Sequence, residues 1–244
     1  MDGDTSKMCG RFTRLYTWPE LVALYRLTLG KSNLQPRYNI SPTTTIDTIV
    51  LSHGKRELMP MRWGLIPAWW SKSLGELKLA TFDAPAETVQ EKSVFCSAFK
   101  RRRCLIPASG YYEWQTIGRQ KQPWYFTRRD GKPITIAGLW DEWTDKVTNK
   151  TFRSCAMVIT EPNKFVEEVH DRMPGILEPG EFWRWEQTDA KDAAALMRPA
   201  GETVLEKWPV SKHVNSSRAS DDDTTLIAEI DSEHLDTIRL DHGH

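Results

Sequence analysis

Arg103-Cys104-Leu105-Ile106-Pro107-Ala108-Ser109-Gly110-Tyr111-Tyr112-Glu113-Trp114 is the stretch on which the architecture turns. Cys104 to Pro107 is a short apolar run of strand length, Ser109-Gly110 carries turn chemistry, and Tyr111 to Trp114 reads as a second, aromatic strand. Glu113 stands out in it. A carboxylate among aromatic rings is desolvated, which raises its pKa and suits it to acid/base work; a strand glutamate turned to solvent is the commoner arrangement. Directly upstream, Lys100-Arg101-Arg102-Arg103 is a basic run.

Working outward, Trp124-Tyr125-Phe126, Ile134 to Trp140 and Ser154 to Thr160 predict three further strands, and Trp208-Pro209-Val210-Ser211 an extended segment. Thr45 to Leu51 alternates and ends at Ser52-His53-Gly54, which predicts a hairpin. Thr17-Trp18-Pro19-Glu20 predicts a helix start, with Thr17 as N-cap and Glu20 closing a capping box, and the apolar stripe runs to about Thr28. Ala80-Thr81-Phe82 reads as a strand end followed by a helix start, with Asp83 as cap and Pro85 in its first turn. Short helices are also expected over Asn163 to His170, Phe182 to Glu186 and Ala190 to Met197. After Asn215 the chain turns polar and reads as mobile. Strands and helices do not alternate in a βαβ rhythm and no Gly-rich phosphate loop is present, so the expected fold is α+β: a single domain with a curved mixed β-sheet and a barrel-like core, flanked by short helices.

Met8-Cys9-Gly10-Arg11-Phe12 carries the most specific chemistry. If Met8 is the initiator and is removed, Cys9 bears an α-amine and a thiol on neighbouring carbons, with ordinary pKa values of about 7.7–8.0 and about 8.5. Such a pair condenses with an aldehyde to an imine and then closes a thiazolidine ring. The competing reading is a small buried apolar cysteine. Residues 1–8 read as an unstructured N-terminal extension or an early start, and only their removal would free the amine, because an acylated nitrogen at Cys9 cannot form an imine.

The chain of 244 residues is long enough for one sizeable core. No run of 18 apolar residues exists and the start lacks a signal-peptide pattern, so the expectation is a soluble intracellular protein with no membrane segment. Cysteines at 9, 96, 104 and 155 form no metal-ligand spacing, and no metal or cofactor is expected. Formal charge is +0, yet residues 219–244 hold eight acids and one base. Taking these from the totals of 33 and 33 leaves 32 bases against 25 acids in residues 1–218, about +7, which suits a polyanionic partner. Eleven tryptophans serve equally as core filling or as stacking platforms for unpaired bases. The loop Arg62-Trp63-Gly64-Leu65-Ile66-Pro67-Ala68-Trp69-Trp70 is open to both readings. His170-Asp171-Arg172-Met173-Pro174 places a histidine at a helix end, where it serves either the dipole or proton transfer.

Together these stretches, with Arg37-Tyr38-Asn39-Ile40-Ser41-Pro42, Ala86-Glu87-Thr88 and Pro209-Val210-Ser211, resemble the SOS response-associated peptidase (SRAP) family from Met8 to about Arg218. The resemblance implies a sensor of abasic sites in single-stranded DNA that forms a covalent thiazolidine DNA–protein crosslink, and with it a cytoplasmic, nucleoid-associated monomer. Carried over, Cys9 is the nucleophile, Glu113 the proton shuttle, and His170 assists sugar opening. Arg11 would hold a phosphate, and Trp69, Trp70 and Trp114 would stack on bases; Asn39, Pro42 and Arg101 complete the expected DNA-contacting set. The family's usual Asn-Ala-Arg-Ala-Glu-Thr is here Asp83-Ala84-Pro85-Ala86-Glu87-Thr88. Asp83 therefore replaces an asparagine that bonds the sugar, and Pro85 replaces a phosphate-gripping arginine, so weaker or slower crosslinking is expected. Two competing readings are a cysteine-type hydrolase that cleaves the segment ahead of Cys9, and a binding module without chemistry that uses the basic run Lys100–Arg103 as one patch, with the tryptophans, to hold single-stranded DNA.

Overall fold

The computed structural model describes residues 10–28, 33–77, 80–216 and 219–231; Cys9 and Arg218 lie outside them. Two sheets curl around a shared core. In the first, Leu205–Pro209, Gln120–Arg128, Gly110–Ile117, Arg11–Arg14 and Arg37–Ile40 lie side by side in that order. In the second the order is Thr45–Ile46, Met61–Trp63, Thr151–Thr160, Ile134–Thr144, Arg103–Ala108, Ile49–Ser52 and Lys55–Leu58. Asp83–Pro85 and Met173–Pro174 also pair with Thr151–Thr160, the former in parallel. The result is a single α+β domain: a curled mixed-sheet half-barrel with a few short helices, as the sequence predicts.

The two strands of the Arg103–Trp114 stretch do not pair with each other. Arg103–Ala108 is buried at every position and sits mid-sheet in the second sheet, while Gly110–Ile117 crosses into the first. Ser109 makes the corner, its Oγ accepting from the N–H groups of Leu15 (2.7 Å) and Tyr16 (3.2 Å). Gly110 is required there, since a Cβ would lie 2.3 Å from the Tyr125 ring.

Packing follows the pleat. Phe12, Ile40, Trp63, Ile106, Tyr111, Phe126 and Met157 fill the space between the sheets, with the Tyr111 and Phe126 rings stacked 5.0 Å apart. Helices cover the outer face of the second sheet, burying Leu21, Tyr25, Phe99, Phe182 and Trp185 against Leu105, Ala137 and Ala156. On the outer face of the first sheet, Tyr112 and Tyr125 pack under Val210, Val214 and Leu226.

Local signals with no tertiary competitor hold. Thr17 caps Trp18–Tyr25 with the full capping box. His53 and Gly54, at φ 48° and 76°, form the hairpin turn between Ile49–Ser52 and Lys55–Leu58. Asn163 caps Lys164–Glu167, and helices cover Phe182–Gln187 and Ala190–Ala194.

Three expectations are corrected. Asp83 and Pro85 do not open a helix; they lie in a strand, registered Asp83 to Met157 and Pro85 to Ile159. Ladder bonds to Thr151–Thr160, continued by Ala86 N–H to the Ile159 carbonyl at 2.9 Å, outweigh the capping chemistry of the local sequence. The basic run is not one exposed patch. Arg103 is buried and donates to the carbonyls of Trp185, Phe99 and Thr188, and Arg102, half-buried, pairs with Asp141 over the Trp140 ring, so only Lys100 and Arg101 are fully exposed. Residues 219–231, in the stretch expected to be mobile, pack back: Leu226 is fully buried and the Ile227 carbonyl accepts from Trp208 Nε1 at 2.8 Å.

Candidate proton-transfer site in the seam between the sheets

Alternation along Gly110–Ile117 places Glu113 on the same face as Tyr111, pointing between the sheets. The solvent-facing arrangement is therefore excluded, and its side chain is fully buried. Across the seam stands His170, just past Lys164–Glu167, with Nε2 3.8 Å from Glu113 Oε2 and a side chain only 10% exposed. Asp83 comes from the second sheet and is also buried. The folded chain thus gathers Glu113, His170 and Asp83, three expected site residues from three distant parts of the sequence.

The tautomer of His170 follows from its neighbours. Arg172 N–H, a donor under all conditions, points at Nδ1 from 3.2 Å, which makes Nδ1 an acceptor and leaves the proton on Nε2, toward Glu113. Asp171 Oδ1 is equally near Nδ1 at 3.2 Å and favours the opposite tautomer. Its carboxylate is 78% exposed and water-screened, so the backbone donor decides. Burial holds the imidazole below its ordinary pKa, opposed in part by Asp171. Arg172 in turn forms an ion pair with Glu87, tying the His170 loop to the turn that follows Asp83–Pro85.

Asp83 has no hydrogen-bond partner for either carboxylate oxygen among the described residues. Burial, and then the nearby Glu113, push its pKa well above the ordinary carboxylate range. An acid held neutral can donate the hydrogen bond that an ionised one cannot.

A second group lies on the outer face of the first sheet. Arg11 is registered with Tyr112, and its Nη1 donates to Asn39 Oδ1 at 2.6 Å and to the Val214 carbonyl at 2.8 Å. Trp114 Nε1 donates to Asn215 Oδ1 at 2.6 Å. Arg11, Asn39 and Trp114 are therefore neighbours, separated from Glu113 by one sheet's thickness. Pro42 sits beside Thr43, whose φ of 72° is rare for a β-branched residue.

The tryptophan loop splits between its two readings. Trp63 is fully buried between Phe12 and Phe82, and Gly64 at φ 126° turns the chain away from it. Trp69 is 53% exposed, next to Trp70 at a ring separation of 6.2 Å. Arg101, on Cys96–Arg101, donates to Ser97 and makes no contact with either group among the described residues. No cluster of three His, Cys, Asp or Glu side chains suited to a metal ion occurs among those residues, and no helix in them is long and apolar enough to cross a membrane. The contacts of Asn215 with Trp114 and of Glu87 with Arg172 carried no sequence signal.

Fold and site together define an α+β half-barrel protein with a buried carboxyl–imidazole centre in the seam between its sheets. The chain belongs to the SRAP family: the model for "SOS response associated peptidase (SRAP)" matches residues 8–217. It is 31% identical over 217 residues to the abasic site processing protein YoqW of Bacillus subtilis, covering 86% of this chain and 96% of that one. Against the abasic site processing protein HMCES of Xenopus tropicalis it is 32% identical over 215 residues, covering 75% of this chain and 64% of the relative. A crystal structure of a protein from Bacteroides thetaiotaomicron shares the fold, with a TM-score of 0.81, 23% identity and coverage of 91% and 100%.

Proposed function

We propose that this chain processes abasic sites in single-stranded DNA, capturing the ring-opened sugar through Cys9 as a thiazolidine. One observation carries the reading. Arg11, the first residue of its strand, is registered with Tyr112 in an antiparallel pair, next in sequence to Glu113. Cys9 is two residues upstream of Arg11. The relatives' shared designation as abasic site processing proteins supports the same reading.

In the proposed reaction the α-amine of Cys9 attacks the sugar aldehyde, and loss of one water gives an imine. The thiol sulfur adds to the imine carbon and its proton ends on nitrogen, closing the ring; the net change is loss of that single water. Glu113 carries protons for both steps, and neutral His170, with its N–H on Nε2, donates to the sugar oxygen as the ring opens. Asp83, held neutral by its surroundings, donates where the family's asparagine would. Arg11 and Trp114 would hold the flanking strand on the outer face, Trp69 and Trp70 would stack on bases, and Asn39 and Pro42 would line the strand's path. Arg101 would contact phosphate at a distance from the chemistry.

The test is a denaturing gel of the chain beginning at Cys9, mixed with a single-stranded oligonucleotide bearing one abasic site. A denaturation-resistant adduct, lost with Cys9→Ser, is expected; salt-sensitive binding without any adduct would leave only a binding module.

A further inference from the structure

Asp221, past the family's matched range, does not hang free. Asp221 lies at the free edge of Arg37–Ile40, the outermost strand of the first sheet. Its carboxylate accepts from Arg37 Nε through Oδ2 and from the Asn39 N–H through Oδ1 at 3.0 Å. Its carbonyl accepts from the Tyr38 N–H at 2.6 Å. Asn39, through Oδ1, is the acceptor for Arg11. A guanidinium and a backbone N–H converging on one pair of anionic oxygens is the donor set that recognises a phosphate. The family model ends at residue 217, so the anion here comes from a segment the match does not cover.

We propose that Arg37 and the Asn39 N–H form a phosphodiester-binding site on the nucleic-acid-contacting edge, and that Asp221 is its resident occupant, displaced when single-stranded DNA binds. This rests on the function proposed above. Displacement need not unseat the segment. Leu226 and Val214 remain buried against the sheet and Asp223 keeps capping Thr224–Ile227 while residues 219–222 move aside, and Asp222 leaves the DNA path with Asp221. With Asp221 gone from the cradle, Arg37 keeps its bond to the Thr45 carbonyl through Nη1 (2.9 Å) and turns Nε to the incoming phosphate.

Binding of an undamaged single-stranded oligonucleotide, followed by fluorescence anisotropy across a salt series, separates this idea from the capture chemistry. With the full chain, Asp221→Asn is expected to tighten binding roughly threefold to tenfold, in keeping with release of one partly exposed ion pair. Arg37→Gln should weaken it comparably and reduce the slope of log K against log salt by about 0.7, one phosphate contact on a single strand. In the Arg37→Gln background, Asp221→Asn should no longer matter. Unchanged or weaker binding by Asp221→Asn, at an unchanged melting temperature, would mean the segment merely covers a sheet edge. Should Asp221→Asn fail to fold, Arg37→Gln decides alone, and flat affinity and slope overturn the site. If the unmodified chain forms abasic adducts while both arms are flat, only this inference fails; if it binds no single-stranded DNA at all, the functional reading falls with it.

Discussion

His170 Nε2 and Glu113 Oε2 face each other 3.8 Å apart across the seam between two sheets. Strand alternation turns Glu113 inward, but it does not bring His170 opposite it. The crossing of the chain at Ser109-Gly110 turns one strand of a continuous stretch into the first sheet, and the paired Met173–Pro174 segment anchors the other residue's loop to the second. The proton transfers proposed above require this closure.

Glu113→Gln keeps the shape and removes the proton carrier. Adduct formation should fall by about 100-fold or more, read as the initial rate on a denaturing gel, while the melting temperature does not drop. A variant that crosslinks at the normal rate would remove Glu113 from the chemistry.

Asp83→Asn combined with Pro85→Arg restores a full-time donor and a cation beside the seam. Crosslinking should quicken roughly tenfold, with a steeper salt dependence of binding from the added phosphate contact. Equal rates for the two proteins would show that these positions do not limit the reaction.

Asp83 also makes a stability statement. Its folded pKa is raised, chiefly by burial and further by Glu113, so the native state holds a proton that the unfolded chain releases near 3.8. Its contribution is fully present below that value and is lost as pH climbs toward the folded pKa. Asp83→Asn cannot ionise. The melting temperatures of the two proteins should be close near the unfolded value of 3.8 and diverge in favour of the asparagine variant as pH rises above it; a constant gap would contradict a neutral Asp83.

The amine-first mechanism sets a requirement at the chain start. Protein beginning at Cys9 should form the adduct and protein retaining residues 1–8 should not, as checked by intact mass before and after mixing with abasic DNA. If the extended protein loses those residues on incubation, and Glu113→Ala stops the loss, the hydrolase reading gains ground.

Two tryptophans of one loop should behave oppositely. Trp69→Ala is expected to weaken single-stranded DNA binding by about 1–3 kcal/mol and to leave stability nearly intact, because the ring is half exposed. Trp63→Ala should destabilise the fold by about 3–5 kcal/mol, since that ring fills the space between the sheets; thermal melts and anisotropy titrations separate the two.

Sequence alone was enough wherever a local rule met no rival. The Thr17–Glu20 box, the His53-Gly54 turn and the Asn163 cap each satisfy backbone groups within a few residues, so neighbours along the chain suffice to specify them. The apolar run Cys104 to Pro107, the absence of a βαβ rhythm and the ordered motifs from Gly10 onward were likewise sufficient for the fold class and the family. Long-range pairing decided the rest. Asp83 and Pro85 carry helix-start chemistry, yet the free side of Thr151–Thr160 draws them into a strand, because each ladder bond satisfies a group that a cap would have served only once. Arg103 reads as part of a cationic patch until three carbonyls enclose it. That Asp83 and Glu113 share one buried space, and that Asp221 occupies the Arg37 cradle, depends on distances between segments far apart in sequence; burial and charge proximity are properties of the closed half-barrel and of no shorter piece.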